Sequence, residues 1–409
     1  MGTAMLSRRD YGYSTIRFEN HGERISRSLP TELSVARKNL SATTVGDYAL
    51  FAGGTDGYKS YHATVDVYDK NLARSTATEL SVARCNFAAT TVGDYALFGG
   101  GTGESFYYST VDAYTSNLIR STPTNLTITR YGLAATTIGD YALFGGGDYS
   151  SSFSTVDAYD NNLTRSTPAK LSVARENLAA TAVGNHALFA GGYAYLSGAT
   201  VSYSTVDAYD DNLVLSSPTD LSTARELLAA TTVGNYALFG GGTDRSISLA
   251  SLSNVDSYNV DLVRGIPTEL SLARQYFKAT AVGNYALFAG GCEIYDSGVG
   301  NFRATVDAYD NNLTRSIPTE LSVSREELAA TTVGDYALFA GGTGVYSNYY
   351  STVDAYQYTG DELKLICYKG AKYKFQNMSE ELTVNSNMES ISIPIPATGY
   401  IKFKNTTIL

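Results

Sequence analysis

The stretch RENLAATAVGNHALFAGG, residues 175–192, holds two apolar runs separated by a Gly-Asn pair. Gly184 stands at the first central position of a two-residue turn, where glycine adopts a positive φ without steric cost. The stretch therefore predicts a β-hairpin that ends at the pair Gly191-Gly192. The run STVDAYD from Ser154, its Asn-Asn turn and the following LTRSTP predict two further strands, because β-branched and aromatic residues favour strands.

This four-strand pattern recurs along the chain. The motif ALFAGG or ALFGGG occurs seven times, and successive copies are 45 to 51 residues apart. The penultimate glycines of the copies are Gly53, Gly100, Gly146, Gly191, Gly241, Gly290 and Gly341. Self-similarity at this period indicates supersecondary units that pack on their neighbours, and four strands per unit are typical of a propeller blade. The sequence predicts an all-β, seven-bladed β-propeller with four-stranded antiparallel blades, whose strands we name A to D in chain order.

Both chain ends fit a closed ring. The units start near residues 37, 84, 130, 175, 225, 274 and 325, and the seventh lacks the RSTPTEL end of the others. Residues 13–37 are similar in sequence to the second half of a unit. Residues 25–33 are therefore predicted to form the missing D strand of the seventh blade, so that no sheet edge is left open. We predict an N-terminal segment at 1–12, a propeller at 13–359 and a small β appendage at 360–409, where Lys-rich alternating strands replace the repeat.

The repeat resembles the kelch repeat, in which Gly-Gly closes the second strand and a tyrosine stands in the third. The resemblance covers residues 13–359, about 85% of the chain. Kelch repeats usually carry a tryptophan in the fourth strand, whereas this chain has none and places Leu163, Leu213 and Leu313 there. The units and the tail ATGYIKFKNTTIL are also similar to kelch-like propellers of Gram-positive gut bacteria and their phages. That resemblance implies a recognition protein associated with a cell surface, a virion or a phage tail.

Each unit has an arginine where strand A opens and an aspartate in strand C. The arginines are Arg37, Arg84, Arg130, Arg175, Arg225, Arg274 and Arg325, and the aspartates are Asp66, Asp112, Asp157, Asp207, Asp256, Asp307 and Asp354. Strand B separates the two strands, but its Gly-Gly end has no side chain that would block a guanidinium group. We predict one structural ion pair per blade. The alternative is a ring of seven arginines that lines the channel mouth and binds an anion.

Composition excludes several classes of function. The net charge of −10 opposes nucleic-acid binding, which needs a concentrated basic surface. No apolar run is long enough for a signal peptide or a membrane span. The histidines and cysteines share no metal-ligand spacing, and no catalytic motif stands out, so we predict no metal, no cofactor and no enzymatic activity. The three histidines and three cysteines are His21, His62, His186, Cys85, Cys292 and Cys367.

Variation between the units is concentrated in two connections. The A–B turns are nearly constant, whereas the B–C loops and the residues that follow each repeated arginine differ from unit to unit. Because strands alternate in direction, the B–C and D–A connections lie at one end of every blade, and we call this surface the loop face. Variable loops on a rigid frame are typical of binding surfaces, although neutral drift of surface loops is the alternative.

The loop face is rich in Tyr, Ser, Gly and Asn, a composition that suits adaptable binding surfaces. Its predicted ligand-binding residues are Tyr58, Tyr61, Phe106, Tyr107, Tyr131, Tyr149, Phe153, Tyr195, Arg245, Tyr276, Tyr295, Tyr346 and Tyr349.

Two functions are compatible with this pattern. The first is a binding module whose loop face recognises a glycan or a cell-surface protein. The second is a structural subunit of a larger assembly that docks through residues 360–409. We expect a location at a virion or cell surface without a recognisable signal peptide, with the cytoplasm as the alternative.

Overall fold

A computed structural model describes residues 5–10, 13–18, 24–57, 60–247, 250–294, 300–345, 348–359, 362–367, 372–375, 382–383, 389–394 and 399–404. The chain divides into two compact units, one of residues 27–357 and one of residues 1–26 with 358–409. Seven four-stranded antiparallel sheets form a ring, so the predicted seven-bladed β-propeller is confirmed. We number the blades 1 to 7 in chain order.

The inner hairpin of each blade consists of strands A and B. The A strands are Ser41–Val45, Ala88–Val92, Ala134–Ile138, Ala179–Val183, Ala229–Val233, Lys278–Val282 and Ala329–Val333. The B strands are Tyr48–Ala52, Tyr95–Gly99, Tyr141–Gly145, His186–Ala190, Tyr236–Gly240, Tyr285–Ala289 and Tyr336–Ala340. The glycine at the first turn position has φ between 50° and 54° in every blade, as the Gly-Asn and Gly-Asp pairs predict.

Strands C and D complete each blade. The C strands are Val65–Asp69, Val111–Thr115, Val156–Asp160, Val206–Asp210, Val255–Asn259, Val306–Asp310 and Val353–Thr359. The D strands of blades 1 to 6 are Arg74–Thr76, Arg120–Ser121, Arg165–Ser166, Leu215–Ser216, Arg264–Gly265 and Arg315–Ser316. The D strand of blade 7 is Arg24–Ser28, which lies beside Val353–Thr359, so closure of the last blade by an N-terminal segment is confirmed.

The C–D turn places a leucine in the left-handed conformation. Asparagine tolerates this conformation better than leucine, yet Leu163, which follows the Asn-Asn pair, adopts it with φ of 61°. Asp160 Oδ1 accepts hydrogen bonds from the backbone N–H groups of Asn162 and Thr164, each at 2.8 Å, which holds the turn. The left-handed geometry lets Leu163 pack against the core between two blades, so packing decides the turn.

Neighbouring blades are joined through the Gly-Gly pairs. The N–H of Gly192 in blade 4 donates to the carbonyl of Arg225 in blade 5 at 2.9 Å. A Cβ atom on Gly191 would lie 2.5 Å from that same carbonyl oxygen, so only glycine fits there. The joint between blades 7 and 1 is equivalent, because Gly342 donates to the carbonyl of Arg37 at 2.9 Å.

The apolar core lies between successive blades. In blade 2, Phe98 and Tyr114 are fully buried and meet edge to face, with ring centroids 5.8 Å apart. The hydroxyl of Tyr114 donates to the carbonyl of Thr78 at 2.8 Å, which satisfies its buried polar end. Val65 and Leu80 belong to the same core cluster, so each interface combines side chains of two units.

The A strands of neighbouring blades face each other around the central channel. Thr91 Oγ1 donates to the carbonyl of Thr44 in the preceding blade at 2.5 Å, and Thr137 makes the equivalent bond to Thr91. Blade 4 has Ala182 at this position, which cannot donate such a bond. Threonine hydroxyls therefore link several of the blades inside the channel.

The second unit contains strands from both ends of the chain. One sheet has the order Met5–Asp10, Tyr13–Phe18, Gly399–Lys404, Lys372–Phe375 and Leu382–Thr383, and Glu362–Cys367 pairs with Glu389–Pro394. This pairing differs from the predicted boundary, which assigned residues from Tyr13 to the propeller. The reason is that the strand Tyr13–Phe18 pairs antiparallel with the strand Gly399–Lys404, with Ile16 opposite Ile401.

Candidate functional site

The repeated arginines and aspartates meet within each blade. The seven distances between Nη2 of the arginine and Oδ2 of the aspartate lie between 2.6 and 2.8 Å, and both side chains are fully buried. Asp157 of blade 3 pairs with Arg130, 2.7 Å away. The alternative of an anion-binding arginine ring does not fit, because these guanidinium groups lie inside the blades.

Each ion pair belongs to a larger hydrogen-bond network. Arg130 Nη2 also donates to the carbonyl of Phe144 at 3.1 Å, at the end of strand B. Asp157 accepts hydrogen bonds from the backbone N–H and the hydroxyl of Thr127, each at 3.1 Å. The network therefore fixes the D–A connection against strands B and C, and it holds the base of the loop face in place.

The B–C loops have a common anchor at that base. The residue after the repeated arginine forms a two-way backbone bridge with the residue after Gly-Gly, as between Glu176 and Tyr193 at 2.9 Å in each direction. Beyond this anchor the loops differ, since blades 1, 4 and 6 carry an additional hairpin. These hairpins are Thr55–Gly57 with Ser60–Tyr61, Tyr193–Leu196 with Ala199–Ser202, and Cys292–Ile294 with Gly300–Phe302.

A ring of seven residues surrounds the channel mouth on the loop face. All seven have φ between 51° and 63°, and six of their N–H groups donate to the carbonyl of the preceding member at 2.8 to 3.2 Å. The members of this mouth ring are Asn39, Asn86, Gly132, Asn177, Leu227, Tyr276 and Glu327. Left-handed geometry is unfavourable for Leu, Tyr and Glu, so the bonded ring maintains it against local strain.

The mouth ring encloses a cavity of about 320 Å³. Its upper wall offers the side-chain amides of Asn86 and Asn177 and the rings of Tyr131 and Tyr276. Deeper in the channel the lining residues are mainly Leu and Ala, and Lys278 lies among them. The surface that these residues expose to the cavity is more polar than apolar.

Lys278 is a functional candidate that the sequence analysis missed. It opens strand A of blade 6, where five other blades have alanine and blade 1 has Ser41. Its side chain is exposed to the channel, and the surrounding protein lowers the pKa of its ammonium group, an effect that Glu327 opposes. The only signal in the sequence was a lysine at a position that is occupied by a small residue, alanine or serine, in the other six units.

Three of the predicted aromatic residues form a cluster on the loop face. The rings of Tyr107 and Tyr131 stack with centroids 5.3 Å apart, and Tyr149 meets Tyr107 edge to face at 5.0 Å. Tyr107 is 39% exposed and Tyr149 is 50% exposed. Because Tyr131 also lines the cavity, this aromatic cluster extends from the channel mouth across the loops of blades 2 and 3.

The other predicted ligand-binding residues occupy different environments. Phe106 and Tyr195 are exposed, at 68% and 67%, whereas Phe153 is half-buried. The backbone of Phe153 is fixed, because its N–H donates to Gly147 and its carbonyl accepts from Arg175. Tyr61 and Tyr349 are half-buried as well. The predicted residues Tyr58, Tyr295 and Tyr346 lie outside the described residues.

Arg245 and Tyr276 are brought together above two buried carboxylates. Arg245 Nη2 donates to the hydroxyl of Tyr276 at 3.1 Å, and its Nε lies 3.4 Å from Glu226 Oε1. Glu226 is fully buried, and neither of its carboxylate oxygens has a hydrogen-bond partner among the described residues. Burial raises the pKa values of Glu226 and of Glu176 in the preceding blade to about 7. Both glutamates are among the variable residues that follow the repeated arginines.

The described residues contain no group of three or more His, Cys, Asp or Glu side chains that could hold a metal ion. A search of the same part of the chain found no helix long and apolar enough to cross a membrane.

Comparison with known proteins shows the fold. No protein-family model and no curated protein sequence matches the chain. Among solved structures, the chain is similar to one titled "Structure of YjhT", with 12% sequence identity and a TM-score of 0.53. The match covers 71% of this chain and 97% of that chain. At this identity the likeness supports the propeller fold alone, and the kelch-repeat assignment stays a prediction.

Proposed function

We propose that this propeller is a non-enzymatic recognition module that binds a carbohydrate through its loop face. The observation that carries the proposal is the aromatic cluster of Tyr107, Tyr131 and Tyr149, which is exposed beside the cavity in the channel mouth. The proposal places the protein at a virion or cell surface, where glycans are displayed. A protein ligand on the same surface is the alternative outcome.

The chemistry of the site suits a sugar. Apolar C–H faces of a sugar ring pack on tyrosine rings, and the tyrosine hydroxyls remain available for hydrogen bonds. The amides of Asn86 and Asn177 at the neighbouring cavity wall offer donors and acceptors to sugar hydroxyls. The site therefore combines a stacking surface with polar groups only a short way into the channel.

The frame beneath the site supports affinity. The loops are anchored by backbone bridges such as Tyr131 with Asp148, at 2.9 and 3.0 Å, and by the buried ion pairs below them. A ligand that binds to such a surface orders few additional groups, so less of its binding free energy is lost to conformational entropy.

The proposal is tested by a glycan array with the intact protein and with the double variant Tyr107→Ala/Tyr149→Ala. One aromatic contact contributes about 0.5–1.5 kcal/mol, so removal of two lowers affinity for a bound glycan roughly 5- to 100-fold. Tyr107→Phe keeps the stacking surface and should retain binding. The matched control is Ile119→Ala/Val214→Ala, which removes exposed side chains of the C–D turns at the opposite end of the blades. The proposal fails if the intact protein binds no glycan, or if the tyrosine variant binds as well as the control.

A second candidate function is that of a structural subunit in a larger assembly. The observation that favours it is the separate unit formed by strands from both chain ends. Native mass spectrometry of the intact protein and of a variant lacking residues 360–409 tests this candidate. A multimer that dissociates in the shortened variant supports it, and an equal number of chains per particle in both contradicts it.

A further inference from the structure

Lys278 breaks the symmetry of the channel. The seven residues that open the A strands form one layer of the channel wall, and five of them are alanines. The other residues that line this depth are leucines, alanines, Phe87 and Ser41. Lys278 is therefore the one charged residue among the described residues that line this depth of the channel.

No carboxylate in the described part of the chain forms an ion pair with Lys278. Within the described part of the chain, no Asp or Glu oxygen lies within 4 Å of its Nζ atom. The nearby Glu327 is already engaged, because Lys38 Nζ lies 2.6 Å from its Oε2 and Asn39 Nδ2 donates to its Oε1 at 3.1 Å. Glu327 is therefore paired with Lys38 and not with Lys278.

Further donors stand above the ammonium group. Asn86 and Asn177 belong to the mouth ring and line the same cavity. Neither side-chain amide has a hydrogen-bond partner among the described residues. The cavity of about 320 Å³ has the volume of roughly ten water molecules in the liquid, so it accommodates a ligand of about the size of a monosaccharide.

We propose that the channel mouth is a binding site for a small organic anion, whose carboxylate or phosphate group pairs with the ammonium group of Lys278. The amides of Asn86 and Asn177 would donate to the oxygens of the same ligand. Because Lys278 lies inside the channel and is surrounded by protein, the attraction between the two charges is screened less than on an open surface. Protein surroundings lower the pKa of Lys278, and a bound anion would raise it again by stabilising the charged form.

The site does not depend on the proposed carbohydrate function. The aromatic cluster lies on the loops of blades 2 and 3, whereas Lys278 lies in the channel on blade 6. Tyr131, Asn86 and Asn177 line the cavity and take part in both proposals, whereas Tyr107 and Tyr149 serve only the first and Lys278 only the second. Loss of carbohydrate binding can therefore be measured in a protein that still binds the anion, and loss of anion binding in one that still binds the carbohydrate.

The test is isothermal titration calorimetry of the intact protein with lactate, inorganic phosphate and lactamide, the uncharged amide of lactate. Saturable binding of lactate or of phosphate, without binding of lactamide, supports the proposal, and the anion that binds identifies the chemical group. Lys278→Ala should weaken this binding at least tenfold, and it introduces the residue found in five other blades. The matched control Lys70→Ala removes an exposed lysine of a C–D turn and should leave binding unchanged.

A second measurement does not require a variant. The bound anion should slow the modification of Lys278 by trinitrobenzenesulfonate, measured by peptide mass spectrometry, while Lys70 reacts at an unchanged rate. The proposal is overturned if neither anion binds, if Lys278→Ala binds as tightly as the intact protein, or if the anion gives Lys278 no protection. Tyr107→Ala should leave anion binding unchanged, so failure of the carbohydrate proposal would be recognised separately.

Discussion

Replacing Glu226 by glutamine is expected to reduce the pH dependence of propeller stability between pH 4.5 and pH 8. Glu226 is fully buried, and burial raises the pKa of its carboxyl group from 4.5 to about 7. The folded protein therefore retains a proton that the unfolded chain releases. The contribution to stability is complete below pH 4.5 and is lost as the pH rises through 7.

The size of the effect follows from the pKa difference. One pKa unit corresponds to 1.36 kcal/mol, so a rise from 4.5 to about 7 amounts to about 3 kcal/mol of unfolding free energy lost by pH 8. Glutamine has nearly the same shape and cannot ionise. The Glu226→Gln variant should therefore match the natural protein at pH 4.5 and exceed its stability by about 3 kcal/mol at pH 8. Glu176, with a pKa of about 7, accounts for a similar share.

The assay is urea unfolding at several pH values, followed by circular dichroism and by tyrosine fluorescence, since the chain has 33 tyrosines and no tryptophan. Glu104→Gln, which changes an exposed carboxylate of a B–C loop, is the matched control and should leave the pH profile unchanged. The double variant Glu176→Gln/Glu226→Gln should show a smaller pH dependence than either single variant, and Glu326, whose pKa burial also raises, contributes to what is left. The reasoning is refuted if Glu226→Gln keeps the full pH dependence, or if it is less stable than the natural protein at pH 8.

Three further substitutions test the frame by thermal unfolding. Arg175→Ala should destabilise the propeller by about 3–5 kcal/mol, because Asp207 is left buried without its partner; an unchanged melting temperature would show that the ion pair is not structural. Ala182→Thr should stabilise by about 1 kcal/mol, because the new hydroxyl can donate to the carbonyl of Thr137 as its counterparts do in other blades; a lower melting temperature would contradict this. Leu227→Asn should stabilise by up to about 1 kcal/mol, since asparagine tolerates its φ of 56° better than leucine, and no gain would mean that packing of the leucine outweighs its strain.

Local sequence patterns were sufficient to predict the blades. Gly184 and the run HALFAGG specify a hairpin through backbone geometry and apolar pairing, and the repetition of that hairpin implies the ring. The pairing of Arg130 with Asp157 could also be predicted, because each unit carries one such arginine and one such aspartate on strands that lie close together. These features depend on neighbours in sequence or on neighbours within one repeat.

Other features depend on contacts that no single unit contains. Leu163 adopts the left-handed conformation because its side chain packs between two blades, which outweighs the preference of asparagine for that geometry. Tyr107 and Tyr131 meet because consecutive units are neighbours in the ring. The sequence does not show that Lys278 lines the channel, because that requires the knowledge that strand A forms the channel wall. On an outer strand the same lysine would be exposed to solvent.

Pairing of the chain ends was not predictable from periodicity. The strand Tyr13–Phe18 alternates like strand C of a blade, yet its partner is Gly399–Lys404, nearly four hundred residues away in the sequence. Alternation determines which side chains share a face of a strand, and it carries no information about which distant strand completes the backbone hydrogen bonds.

The shared anchor beneath every B–C loop has a consequence for how this protein can change. The bridge between Glu176 and Tyr193 has an equivalent in each blade, whether the loop above is a short bend or a hairpin. A loop moved from one unit to another would therefore meet the same attachment points. Recombination between the nearly identical repeats of the gene would rearrange the loops around the ring and leave the frame intact, so new binding surfaces can arise without new folds.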